Sequence, residues 1–410
     1  MARNVLRNRN YRMWLLGLSV ANVGTWMQRI AQDWLVLELT GESGVALGVV
    51  TGLQFLPLLL VGPVGGIVAD RFPKRWTLLW TQAVVGGCAL ALGVLVLTGT
   101  AALGHVYLVA LLLGVANAVF HPTVQAFVLE LVDREDVPRV VALSAGSFQA
   151  ARLVGPAAAG GVIVLGGTGP VFLAAAVTVL FPMAALLRMD PRRLHPAAVR
   201  DGGLRMFLDG ARYAATDPRT RLLLGVSAFI GLFAANTQVT TALMAVAEFD
   251  RGAAEYGLLG SVMAVGSIAG AAAVVVRRTV GPRFVVVSGI VFCSVSAASA
   301  LMPGYLAFAA ALLAVGAAQI LFTTAANSAL QLGSAPEMRG RVMAVFTMLM
   351  MGSTPLGAPL LGWVADAFGA RVALAGGGAV ALAGVLAVAA LCLPAAERAA
   401  RPRPMETETP

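Results

Sequence analysis

Hydrophobic positions run through this 410-residue chain in long uninterrupted stretches, and polar positions collect in short intervals between them. Twelve stretches stand out: 12–38, 45–69, 76–98, 104–130, 138–165, 169–188, 221–246, 254–276, 284–302, 304–332, 341–365 and 370–393. Each is close to or longer than the roughly 20 residues that a helix needs to cross a bilayer. Within a bilayer only a helix or a closed barrel satisfies its own backbone, and these stretches are too long and too evenly apolar for barrel strands. The pattern predicts an all-α membrane protein with twelve transmembrane helices. One long polar interval, 189–220, divides the stretches six and six. In it Leu204, Phe207, Leu208, Ala211 and Ala215 recur at helical spacing, which predicts a short amphipathic helix on the membrane surface. The expected organisation is two pseudo-symmetric six-helix bundles, 1–188 and 221–394, joined by the linker 189–220 and followed by a disordered polar tail, 395–410.

Composition agrees: 59% of residues are hydrophobic and 12% charged, against about 25% charged in a soluble domain. The net charge of +9 raises the question of nucleic acid. The cations answer it, because they occupy alternate intervals between apolar runs, the signature of membrane topology. Of the 29 Lys and Arg, all but Arg29, Arg152, Arg251 and Arg371 fall on one side if the chain is threaded through twelve spans. That side holds both termini and is therefore cytoplasmic. The basic N-terminus lacks a small-residue cleavage site, so the first run reads as a retained span rather than a signal peptide. Cys88, Cys293 and Cys392 all sit in apolar runs without a CxxC or Cys/His grouping, so neither a disulfide framework nor a metal site is expected. A GxxxxGK[ST] loop is missing, which argues against an ATP-driven pump. No loop carries a nucleophile with its base, and neither an enzyme nor a cofactor is expected.

Ionisable and polar residues inside the runs are the candidates for function, since burying them in lipid is costly. In the first run Ser19, Asn22, Trp26, Arg29 and Asp33 share one helical face. Arg29 and Asp33 are spaced to pair; Asp33 is either a proton-coupling carboxylate or half of a structural ion pair. Arg152, with Gln149 one turn earlier, lies mid-run and needs an acceptor: a carboxylate, a carbonyl or an anionic substrate. Asn117, His121 and Gln125 form a stripe in the fourth run. A shift of 202 residues superposes that stripe on Gln319, Thr323 and Asn327 in the tenth, and Arg139-Val-Val-Ala on Arg341-Val-Met-Ala. Matched stripes in two similar halves fit the facing walls of a central cavity, or hydrogen bonds between helices. His121 adds a group that titrates near neutral pH, or a structural residue beside Pro122. Asn236 and Gln238 in the seventh run are candidate substrate contacts or mark a break in the helix.

Between the second and third runs stands Gly66-Ile-Val-Ala-Asp70-Arg71-Phe-Pro-Lys74-Arg75, which holds the only lysine of the chain. This stretch resembles the signature loop of the major facilitator superfamily, departing from it at Pro73, where glycine is usual. Trp26 to Trp34, Leu129 to Pro138 and Ala151 to Pro156 resemble bacterial siderophore-exporter and multidrug-efflux members. The resemblance implies that Gly66, Asp70, Arg71, Lys74 and Arg75 form an inner gate, Asp70 capping the helix that begins near Arg341. Read without it, the cations are topology signals. A near copy, Gly362-Trp-Val-Ala-Asp366, ends the eleventh run on the other side; it is a decoy or at most an outer-gate contact. Gly155-Pro156 resembles, incompletely, the Gly-Pro motif of antiporters and marks a helix bend. The expected function is proton-coupled efflux of a small organic molecule (drug, siderophore or secreted metabolite) by alternating access, as a monomer in the bacterial inner membrane. Its partners are the substrate, protons and lipid. Uptake, or a transport-inactive sensor of the same fold, are the alternatives.

Overall fold

The computed structural model describes residues 5–190, 204–275 and 281–400. The side chains of residues 61–70 and 204–208 lie outside the described set, and with them Gly66, Asp70, Leu204, Phe207 and Leu208. The described chain folds into helices: α1 (Arg9–Thr40), α2 (Gly44–Arg71), α3 (Lys74–Leu97), α4 (Leu103–Leu131), α5 (Val137–Gly166), α6 (Thr168–Arg188), α7 (Leu204–Thr216), α8 (Pro218–Phe229), α9 (Thr237–Leu243), α10 (Ala253–Val275), α11 (Pro282–Ser299), α12 (Tyr305–Gly333), α13 (Arg339–Met351), α14 (Thr354–Phe368) and α15 (Ala370–Ala400). Ten helical segments among the described residues are long and apolar enough to cross a membrane. Two of them are composite: Pro218–Glu248 joins α8, α9 and two wide turns, and Arg339–Phe368 joins α13 and α14.

Local sequence sets the helix ends. Asn8 caps α1 by accepting the Tyr11 N–H at 3.2 Å. Gly41 closes the same helix in the left-handed region (φ 61°), and Gly369 follows α14 with φ 96°, conformations that glycine enters without strain. The seventh apolar run does not stay α-helical. Wider π turns occupy Ile230–Ala234 and Met244–Glu248, and the helix breaks before Thr237. The eleventh run breaks at Gly352-Ser353, just before Pro355. At the far end α15 continues past Pro394 to Ala400, so helix replaces the first residues of the expected tail; 401–410 lie outside the described residues.

Two buried apolar cores hold the helices together. The smaller, built around Tyr11, Trp14, Leu78, Phe127 and Leu186, draws only on residues before 190 and sits at the end where α1 begins and α6 ends. The larger joins α1, α2, α4 and α5 to α8–α15, through residues such as Ile30, Leu47, Leu243 and Tyr256. The early and late helices therefore share a core at the end away from the first helix start, while at the opposite end the early helices have a core of their own. The amphipathic helix α7 forms, and its described residues Gly210, Ala211, Tyr213 and Ala214 turn inward while Ala215 is exposed. It packs on α13: a Cβ on Gly210 would lie 2.6 Å from the Arg341 carbonyl oxygen.

Candidate functional site

Asp33 is held from across the molecule. Its carboxylate, 1% exposed in the last third of α1, accepts the Tyr256 hydroxyl at 2.7 Å and the Gln238 amide N–H. Both donors belong to the later helices, from α10 and α9. Arg29, one turn before Asp33, makes no ion pair with it; the carboxylate acts on the guanidinium from a longer distance. The direct i, i+4 pairing expected from spacing is replaced by donors more than 200 residues away in sequence, because Asp33 faces α9 and α10.

Arg29 turns instead to aromatic faces, its Cζ lying 5.6 Å from the centroid of Trp26 and 5.4 Å from that of Phe55. Arg152 of α5 approaches the same indole, also at 5.6 Å. Two guanidiniums thus approach one Trp ring, and neither has a hydrogen bond or ion pair among the described residues. Cation–π attraction, about 0.5–2 kcal/mol each, stabilises them without using their N–H groups. The Nε of Arg29, the Nε1 of Trp26 and the Nε2 of Gln28 are buried with no acceptor. Phe148 closes one side with an edge contact to Trp26 at 5.7 Å.

A Cβ on Gly155 would come within 2.6 Å of the Trp26 Cβ, so glycine is what lets α5 lie against α1 here. Pro156 follows, and Ser261 of α10 bridges the Ala157 N–H and the Leu153 C=O. Its hydroxyl accepts the former at 3.2 Å and donates to the latter at 2.6 Å. The same crossing brings Gly160 against the Ala253–Ala254 backbone and Gly257 against the Pro156 carbonyl.

A second bridge joins the early and late helices. Asp366, last but two in α14, caps the start of α2: Oδ1 accepts Gly44 N–H at 2.6 Å, and Oδ2 accepts Val45 N–H at 3.0 Å and the Ser43 hydroxyl at 3.1 Å. A carboxylate there satisfies free N–H groups and meets the positive end of the helix dipole. Gly44 and Gly362 sit backbone to backbone beneath it. The near copy of the signature stretch is therefore a true contact between chain halves.

The signature stretch itself is engaged locally. Lys74 pairs with Glu130 of α4 at 2.8 Å, Arg75 donates to the Leu187 carbonyl at the end of α6 at 2.8 Å, and Arg71 is exposed. Arg341 pairs with Asp209 of α7 at 3.0 Å. Asn117, His121 and Gln125 of α4 are all exposed; Gln149, Gln319, Thr323 and Asn327 are half-buried. Asn236 is buried beside the helix break; its amide N–H groups go to the carbonyls of Leu232 (2.9 Å) and Gly231 (3.4 Å), and its Oδ1 has no partner among the described residues. Arg371 and Arg251, which depart from the charge asymmetry, are occupied too. Arg371 pairs with Glu248 at 2.6 Å and donates to Ala300 and Met302, and Arg251 lies over Tyr305.

Sequence reading singles out Asp33, Arg29 and Arg152 but misses Tyr256, Phe55 and Ser261. A tyrosine, a phenylalanine and a serine in apolar runs are ordinary; only the fold shows that they meet the charged residues.

Comparison with known proteins identifies the fold and the family. Solved structures similar over nearly the whole chain include a POT family transporter in complex with 5-aminolevulinic acid (TM-score 0.76, 10% identity, 94% of this chain and 96% of that one). A bacterial homologue of the iron transporter ferroportin in the inward-facing state is another (TM-score 0.69, 14% identity, 95% and 99%). At such identities the likeness is one of fold. In sequence, the staphyloferrin A transporter of Staphylococcus aureus is 30% identical over 156 residues, which span 38% of this chain and 39% of that protein. The enterobactin exporter EntS of Salmonella typhimurium is 24% identical over 335 residues, 81% of this chain and 79% of that protein. For Shigella boydii EntS the match is 26% over 58% of this chain and 56% of that protein, so the first relatives are matched over about half their length or less. A family model described as transmembrane secretion effector matches residues 3–409, and the chain belongs to that family of the major facilitator superfamily.

Proposed function

We propose that the protein is a proton-coupled exporter of a small organic molecule. Two six-helix bundles, 1–188 and 221–394, joined by the cytoplasmic linker 189–220, alternate access across the bacterial inner membrane with both termini inside. The relatives named as enterobactin exporters and as a staphyloferrin A transporter support export of a secreted compound. The cation asymmetry supports placing the shared core on the outer side. The arrangement is then closed outside, with Asp366, the α5–α10 crossing and Asp33 as its inter-bundle contacts. On the inner side Gly66, Asp70, Arg71, Lys74, Arg75 and Arg341 form the opposing gate. Lys74 and Arg75 have partners within the first bundle, and Arg341 pairs with the linker helix, which fits a disengaged inner gate. Asn117, His121 and Gln125, exposed on a helix that would otherwise present them to lipid, line the cavity opposite Gln319, Thr323 and Asn327.

The observation that carries this reading is the Asp33 carboxylate bridged to Tyr256 and Gln238. As an anion it accepts two charge-assisted hydrogen bonds and ties the bundles together. Protonated, it is neutral, the bonds weaken to ordinary strength, and the outer side parts. Protonation of Asp33 thus favours the state from which substrate leaves. In reconstituted vesicles, with enterobactin and staphyloferrin A as first probes, wild-type flux should follow an imposed pH gradient, and Asp33→Asn should lose that dependence. An Asp33→Asn variant whose flux tracks the gradient as wild type does would overturn the coupling role. Flux direction in oriented vesicles separates export from uptake.

A further inference from the structure

The cluster around Trp26 has a surplus of donors and positive charge. Arg29 and Arg152 together carry two positive charges, and they act on one another as like charges. Asp33 supplies the one negative charge described beside them, and its carboxylate is already occupied by Tyr256 and Gln238. The polar atoms left unpartnered by Arg29 and Trp26 are both N–H donors. Unpartnered buried donors cost about 1–3 kcal/mol each, more beside a charge, so the site is short of acceptors. A cationic ligand would add repulsion and further donors. A neutral apolar ligand would leave the donors as they are. A planar oxyanion supplies both the missing charge and the lone pairs, and a guanidinium fork matches a carboxylate in two parallel bonds. The indole that both arginines approach, with Phe55 and Phe148 nearby, offers an apolar surface for the body of such a molecule.

We propose that Arg29, Arg152 and Trp26 bind the carboxylate of an organic acid, the carboxylate meeting the two guanidiniums and the apolar body lying against the aromatic rings. This rests on the export reading above and names the substrate class for its site. Arg29 then has two roles: it faces the coupling carboxylate of α1 and it holds the cargo.

The test uses three molecules of one shape and different charge: 2-naphthoate, 2-naphthylmethylammonium and 2-naphthalenemethanol. Binding to the purified full chain is read by thermal stabilisation and tryptophan quenching, in low-salt and in chloride buffer. Saturable binding is expected for naphthoate alone, with an affinity that chloride does not change. Arg152→Gln should weaken it about tenfold or more, and Arg152→Lys, which keeps the charge and loses the fork, by less. Equal binding of the ammonium or the alcohol overturns the proposal, as does the absence of naphthoate binding, competition by chloride alone, or an Arg152→Gln affinity within twofold of wild type. The wild-type comparison stands even where a variant fails to fold. Proton-driven flux of a cationic compound would remove the organic-acid assignment and leave the exporter reading intact, whereas an Asp33→Asn variant whose flux still tracks the gradient would do the reverse.

Discussion

At Asp33 a single carboxylate couples two distant parts of the chain. Hydrogen bonds to a charged group contribute about 1.5–3 kcal/mol, so Tyr256→Phe removes enough to favour the outward-open state about tenfold or more. Spin-label distances across the outer side should report a larger open population, and Gln238→Leu should act in the same direction. Because both donors serve one acceptor, the double variant should depart from additivity, and additive effects would show that the two bonds work independently. The charged members of this site are legible in sequence because ionisable groups in apolar runs are few and costly. Their partners are not. Arg29 and Asp33 have the spacing of a helical ion pair, yet the fold supplies Asp33 with better-placed donors from more than 200 residues away and turns Arg29 onto Trp26 and Phe55.

Among the elements, α5 shows how a helix is shaped by what crosses it. Gly155 admits Trp26, Pro156 withholds a donor, and Ser261 of α10 bridges Ala157 N–H and Leu153 C=O. Ser261→Ala removes that bridge, leaving two backbone groups to re-pair or remain unsatisfied at about 1–3 kcal/mol. Its melting temperature should fall, and Ser261→Thr, which keeps the hydroxyl, should fall less. Gly155→Val forces a side chain into the α1 contact, an overpacking cost of about 1–3 kcal/mol, and should also displace Trp26 and lower naphthoate affinity. Apolar runs predict where helices lie because burial in lipid demands them. The π turns near Asn236 and the break at Gly352-Ser353 escape that logic, since a run stays equally apolar whether its helix is continuous or interrupted. Asn236 is an instance: its polarity suggests a ligand contact, while its amide N–H groups go to carbonyls beside the break.

Across the whole molecule, two Gly-x-x-x-Asp stretches stand at opposite ends of the path. Gly66 to Asp70 ends α2, and Gly362 to Asp366 ends α14, the helix that α2 packs against. Asp366 caps the start of α2 with three hydrogen bonds; the proposed counterpart is Asp70 capping the helix that begins near Arg341 once the inner side closes. The two spans, α2 and the composite α13–α14, then each carry at their end a carboxylate for the start of the other, and the two caps alternate. Sequence comparison within the chain reveals the repeat of the motif, but which copy is engaged depends on the conformation, and no single sequence encodes that. Losing a helix cap and its charge–dipole term costs about 1–2 kcal/mol in the closed-outside state alone. Asp366→Ala should therefore raise the outward-open fraction about tenfold, and Asp70→Asn should raise the inward-open one. Spin labels at Val45 and Phe368, both exposed beside the cap, give the outer separation. The expected result is a longer distance for Asp366→Ala, partly reversed by adding Asp70→Asn, because the second change destabilises the state that the first favours. If Asp366→Ala leaves the distance unchanged, the cap is a packing detail rather than a latch; if Asp70→Asn fails to restore it, the two ends do not oppose one another.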